Sequence, residues 1–162
     1  MGERRGTMKR YIKQKVFSIG ERFTVKDEFG NDRYFVEGEW LSIPKKFRIL
    51  DAQNQEVLLL ESKFFSFMPA YQIIRNGEVA AEIVKEFSFF RPKYRIDGSP
   101  FSVEGDVFTH DYTILRDGTP VASISKEWFT WGDSYMIDNY KGEDEEMLLA
   151  ILIVIDFVLS RD

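Results

Sequence analysis

The C-terminal stretch EDEEMLLAILIVIDFVLSRD constrains the fold more than any other part of the chain. From Met147 to Leu159 its one polar side chain is Asp156. Such a run can be a membrane span, a β-strand, or a helix with no polar face. A spanning helix needs about 20 consecutive apolar residues, whereas this run has thirteen, with no basic flank before it. Isoleucine and valine favour sheets, but thirteen residues are long for a strand and the flanks have the character of helix ends. Glu143, Asp144, Glu145 and Glu146 put negative charge where a helix dipole is positive, and Arg161 stands at the opposite end. The run therefore reads as a helix over about 143–160. A helix apolar on every side must be surrounded by protein.

What could surround it is set out by a repeat. Residues 71–97, YQIIRNGEVAAEIVKEFSFFRPKYRID, align without gaps on 112–138, YTILRDGTPVASISKEWFTWGDSYMID, at an offset of 41. Tyr71 and Tyr112, Ile83 and Ile124, Lys85 and Lys126, and Tyr94 and Tyr135 correspond. A weaker copy, QEVLLLESKFFSF at 55–67, matches 77–89. Each unit is a strand, a tight turn and a longer strand. Asn76-Gly77 and Asp117-Gly118 suit type I′ hairpin turns, and their flanks alternate apolar and polar with period two.

Further turn signals at Gly20, Gly30, Asn54, Gly98 and Gly132 divide the chain into about twelve short strands. These fall near 11–19, 22–27, 33–41, 46–51, 56–65, 70–75, 78–88, 93–97, 101–107, 111–116, 120–129 and 134–138. Their lengths match the tail, since an 18-residue helix rises about 27 Å and a strand of seven or eight residues about 25 Å. A twelve-stranded barrel is too wide for its own side chains to fill, and closure removes sheet edges. The expected fold is mainly β: a closed antiparallel barrel of about twelve strands enclosing the C-terminal hydrophobic α-helix. Residues 1–7 are expected to be a flexible extension, and 8–162 a single domain.

Several function classes drop out. With no cysteine, thiol nucleophiles and zinc–thiolate sites are impossible. A net charge of −5 gives no general attraction to nucleic acid or anionic membranes. The one histidine, His110, excludes a His₂ or His₃ metal site within the chain. It reads as an ordinary hydrogen-bonding residue at a strand start beside Asp111. No nucleophile elbow, Walker loop, dinucleotide fingerprint or EF-hand loop is present. The acids Asp133, Asp138 and Glu143 to Glu146 read as a solvated helix start. The N-terminus has no apolar signal core, so the expected location is cytoplasmic.

The segments KQKVFSIGERFTVKDEFGN, YFVEGEW, KEFSFFRPKYRIDG, FSVEGD, ISKEWFTWGDSYMID and LLAILIVIDFVL resemble the LURP-one-related family. That family belongs to the tubby C-terminal-like superfamily, together with the phospholipid scramblases. The resemblance runs from about Met8 to the C-terminus and keeps motif order and spacing. It implies a twelve-stranded barrel threaded by a C-terminal helix. For activity it implies little: tubby domains bind phosphoinositide headgroups, and scramblase-like members are linked to lipid movement and calcium. A non-enzymatic domain without cofactor is expected because the catalytic motifs are missing. No calcium-binding residues carry over to this sequence.

Two function classes are then open. One is a binding module at the inner membrane surface that reads anionic phospholipid headgroups, peripheral rather than integral. Its candidate residues are the basic clusters Lys45, Lys46 and Arg48, and Arg91, Lys93 and Arg95, with aromatics of KFFSFMP, KEFSFFRP and KEWFTWGD nearby. The bland reading has those bases solubilising strand ends and the aromatics packing on the helix. The other class is a cytoplasmic scaffold for a protein partner; a weaker third is a small-ligand carrier with a cavity beside the helix. Inside the barrel, Lys63, Lys85 and Lys126 occupy equivalent hairpin positions, and Lys85 and Lys126 have the parity of the apolar face. Either at least one of them meets Asp156 or lines an internal polar pocket, or a bulge turns them outward.

Overall fold

Asn76 and Gly77 have φ of 52° and 77°, and Asp117 and Gly118 have 49° and 81°. Both pairs thus make the tight turns that join β6 (Ala70–Arg75) to β7 (Glu78–Glu86) and β10 (Asp111–Arg116) to β11 (Thr119–Phe129). The protein is seen in a computed structural model that describes residues 8–13, 22–39, 41–63, 66–129 and 132–159. The other strands are β1 (Met8–Lys13), β2 (Arg22–Asp27), β3 (Asp32–Glu39), β4 (Lys46–Asp51), β5 (Glu56–Ser62), β8 (Lys93–Asp97), β9 (Phe101–Asp106) and β12 (Gly132–Asn139).

The repeat is reproduced pair by pair. Tyr71 lies opposite Ile83 and Tyr112 opposite Ile124; Lys85 lies opposite Tyr94 and Lys126 opposite Tyr135. Both hairpins also shift register at the same place, between Ile73 and Ile74 and between Ile114 and Leu115. Matching shifts occur at Val25/Lys26 in β2–β3 and at Ile49/Leu50 in β4–β5. A bulge near the turn of a hairpin bends and twists its strands, and four of them curl the sheet around the chain's own tail.

All ladders are antiparallel, in the order β8-β7-β6-β5-β4-β3-β2-β1-β12-β11-β10-β9. The first and last strands, β8 and β9, are joined through Gly98, Ser99 and Pro100 but share no ladder. The barrel is therefore nearly closed rather than fully hydrogen-bonded around. The tail fills it: every residue from Met147 to Leu159 is buried, among inward side chains such as Ile12, Phe47, Leu60, Ile83 and Ile124. The expected single helix divides into an α-helix, α1 (Glu145–Leu152), and a π-helical stretch at Ile153–Val158. Several predicted strands end short of expectation, β5 at Ser62 and β7 at Glu86. The predicted extension 1–7, residues 14–19 of the first strand, Trp40, Phe64, Phe65, Trp131 and Arg161 lie outside the described residues.

The two ends of the barrel differ. At the helix N-terminus the strands meet in short turns, with Arg75 and Arg116 reaching Asp144 and Glu143. At the other end lie the connections 40–45, 63–69, 87–92 and 107–110, around the last turn of the helix.

Candidate functional site

Alternation on β10 turns Tyr112 inward, fully buried beside the π-helical stretch that carries Asp156. Tyr112 Oη donates to Asp156 Oδ2 at 2.7 Å, and His110 Nδ1 lies 2.7 Å from Oδ1. The carboxylate side chain is 1 % exposed and the imidazole 27 %, so the pair runs from the core to the mouth. Tyr135 sets its ring edge-on to His110, with centroids 5.2 Å apart, and to Phe157 at 5.1 Å. Burial, with Asp156 next in importance, pushes the Tyr112 phenol well above its ordinary range. The same two causes push Tyr94 up to about 12. Both remain neutral hydroxyls near neutral pH. The Tyr94 hydroxyl is buried without a hydrogen-bond partner among the described residues.

His110 is held in the left-handed region at φ 60°, sparsely populated for a residue other than glycine. It closes the 107–110 connection, in which Asp106 Oδ1 accepts from the N–H groups of Phe108 (3.0 Å) and Thr109 (3.2 Å), and His110 N–H donates to Val107 O (3.2 Å). Asp156 is buried, and β10 and the loop before it each give it a hydrogen bond. Lys85 Nζ donates to the carbonyl oxygen of Leu159 at 3.1 Å, a favourable place for a cation at a helix C-terminus. Lys63 pairs with Glu82 at 3.2 Å on the outer wall, and Lys126 is exposed. No register shift separates Ile83 from Lys85 along β8, so Lys85 keeps its inward parity.

The basic clusters do not form one cationic basin. Arg48 bonds Glu39 and Glu56, Lys46 lies 3.9 Å from Glu61, and Arg95 bonds Asp97 (2.8 Å) and Glu86 (3.3 Å). Arg91 lies 3.4 Å from Asp106. Lys45 precedes β4, its N–H donating to Ser62 Oγ, and Lys93 stands exposed at the start of β8. Strands β4 and β8 are four places apart in the sheet, about 19 Å along it at 4.7–4.9 Å per strand. The clusters cannot converge on a single phosphate.

The mouth has a different character, and there the exposed aromatics of KFFSFMP and KEFSFFRP follow the interface reading rather than the core-packing one. Ten large hydrophobics stand exposed among the described residues, and seven of them are Leu41, Ile43, Phe67, Phe87, Phe89, Phe90 and Phe108. All seven are on connections at the mouth. Phe67 is 100 %, Phe90 96 % and Phe89 85 % exposed. Between them lie shallow clefts of about 390 Å³ and 270 Å³, the second lined by Met68, Lys85, Phe87, Phe89, Phe90 and Arg91 among others. A larger cleft of about 790 Å³ lies on the outer face of β1 and β2. There Lys26 faces Asp32 and Arg22 faces Glu37. Among the described residues no cluster could hold a metal ion, and no helix is long and apolar enough to cross a membrane.

The family model for LURP-one-related proteins matches residues 8–156, nearly the whole barrel and the helix as far as Asp156. The chain belongs to the LURP-one-related family. A Bacillus subtilis (strain 168) protein, YxjI, is 33 % identical over 152 residues, 94 % of each chain. The X-ray structure of the Arabidopsis thaliana protein AT5G01750 superposes with a TM-score of 0.68 at 15 % identity, covering 93 % of this chain and 90 % of that one. That likeness shows a shared fold at a sequence distance where side chains have largely changed. Membership in the LURP-one-related family matches the architecture of a near-closed, helix-plugged barrel. The sequence missed the His110–Asp156–Tyr112 cluster because its members are 44 and 46 positions apart. The repeat gave a signal for one member, placing Tyr112 at the position of Tyr71 on the apolar face.

Proposed function

We propose that this LURP-one-related domain is a non-enzymatic module that docks on a lipid interface mouth-first, at the inner surface of the membrane. The observation that carries this reading is the set of phenylalanine side chains at loop tips, some wholly exposed, gathered at one end of the barrel. Clustered exposed apolar groups mark interaction sites. Protruding rings on separate loops are covered best by a medium that flows around each of them, as the headgroup–acyl boundary does. Lys45, Lys46, Arg91 and Lys93 border these loops and favour anionic headgroups, Lys46 and Arg91 less so because Glu61 and Asp106 stand beside them. Arg48 and Arg95, each paired with two acids on the outer wall, contribute little.

Apolar insertion is the main term and electrostatics the minor one. In co-sedimentation with phosphatidylcholine vesicles, with and without phosphatidylserine, the Phe89→Ser and Phe90→Ser changes should each weaken partitioning about tenfold. Reversing Lys45 and Lys46 to Glu should matter less, and chiefly with anionic lipid at low salt. Absence of vesicle association at every composition, together with reproducible capture of a discrete protein partner, would instead favour the scaffold reading.

A further inference from the structure

We infer that the buried Asp156 is a positioning residue for the lipid-facing loop 107–110, so that the seat of the central helix is part of the docking surface. The inference rests on the mouth-first docking proposed above. Within the loop, Asp106 fixes the amides of Phe108 and Thr109, holding Phe108 at the tip with 73 % exposure. The chain leaves the loop through His110 in the left-handed region, as it does at Gly30 and Asn54, the last residues of two other turns closed by the same backbone bond. The turn sets the backbone but not where the loop sits on the barrel. Two contacts anchor the His110 ring there: the 2.7 Å bond to Asp156 and the edge-on ring of Tyr135.

Asp156 is in turn fixed from several sides. Tyr112 holds its other oxygen, and Lys85 holds the Leu159 carbonyl at the end of the same segment. The segment is wound as a π-helix, a rare conformation that occurs mostly as single-turn bulges inside α-helices and is frequent at functional sites. Position is thus transmitted from the helix, through His110, to Phe108 two residues away. A ring presented in advance loses less freedom on insertion than one on a slack loop. Phe89 and Phe90 are on another connection and do not depend on this chain of contacts.

A double-mutant cycle tests the inference on the full chain with phosphatidylcholine vesicles. Asp156→Asn should weaken partitioning about fivefold, the scale on which contacting residues couple, although the residue never meets lipid. Phe108→Ser should weaken it similarly, and the double variant should bind no worse than Phe108→Ser alone. Combination with Phe89→Ser should be multiplicative. A multiplicative result with Phe108→Ser overturns the inference. Should the wild-type chain ignore vesicles, the docking proposal fails, and the coupling is then read by hydrogen exchange of the lipid-free protein. Asp156→Asn should speed exchange at the Phe108, Thr109 and His110 amides about tenfold without spreading to β4 and β5; unchanged exchange overturns it. If Asp156→Asn does not fold, His110→Asn, which tolerates positive φ but is too short to reach the carboxylate, carries both measurements.

Discussion

Tyr112 Oη donates to Asp156 Oδ2 at 2.7 Å, joining the wall strand β10 to the plugging helix across 44 positions of sequence. A carboxylate with a 1 % exposed side chain depends on such partners, because water cannot replace them. Tyr112→Phe keeps the ring and removes the donor. It should cost about 1–3 kcal/mol, the range for leaving a buried acceptor unsatisfied. Urea unfolding at pH 7 reads this directly, and a cost below a few tenths would show that the acid finds another donor.

Asp144 caps α1: its side chain accepts from Met147 N–H at 3.2 Å and receives Arg75 in a two-pronged pair at 2.7 and 3.0 Å. Burial works to raise this carboxyl, but the Arg75 guanidinium and backbone N–H groups outweigh it and hold the group below 3.8. A depressed folded-state value contributes stability above the unfolded value, lost as pH falls through the folded one. Asp144→Ala should therefore destabilise by about 1–2 kcal/mol at pH 7. The gap should narrow below about pH 3.8. Melting the pair across pH 2–7 checks it; a constant gap would refute the assignment.

Glu146 is the opposite case. Burial first, then repulsion from Asp144, Glu145 and Asp51, raises it above 4.5 despite the attraction of Arg75. One of its oxygens is buried without a hydrogen bond among the described residues. For a raised acid, ionisation costs stability as pH climbs through the folded value. Glu146→Gln should raise the melting temperature at pH 7 and leave it nearly unchanged below about pH 4.5. A loss of stability at pH 7 would mean that the helix dipole, which favours the anion here, is the larger effect.

Gly105 has φ +117°, and a Cβ there would meet Asp111 O and Tyr112 Cα at 3.0 Å. Both obstacles are backbone and cannot swing aside. Gly105→Ala should cost about 1–3 kcal/mol and loosen the start of β10, where Tyr112 and His110 are rooted. Thermal unfolding gives the cost, and faster amide exchange at 107–112 locates it. A neutral substitution would show that β9 shifts away freely.

Much of the architecture was legible in local chemistry. Asn-Gly and Asp-Gly pairs specify their turns through positive φ, period-two alternation sorts Ile83 from Glu82, and the 41-residue repeat carries over even the position of the bulge. The candidate site was less so. The acid cluster at 143–146 showed itself as a helix start, yet nothing local marks His110 as the partner of Asp156 or distinguishes Phe90, in solvent, from Phe47, in the core.

The sequence by itself determined that twelve apolar residues must be enclosed, that hairpins would enclose them, and that one acid would go inside with them. These follow from hydrophobicity and backbone sterics, which act over a few residues. The tertiary structure alone decided which side chains meet that acid, how the basic residues are neutralised, and which aromatics are left at the mouth. Those outcomes depend on distances between strands far apart in the chain, and such distances exist only once the sheet has curled around the helix.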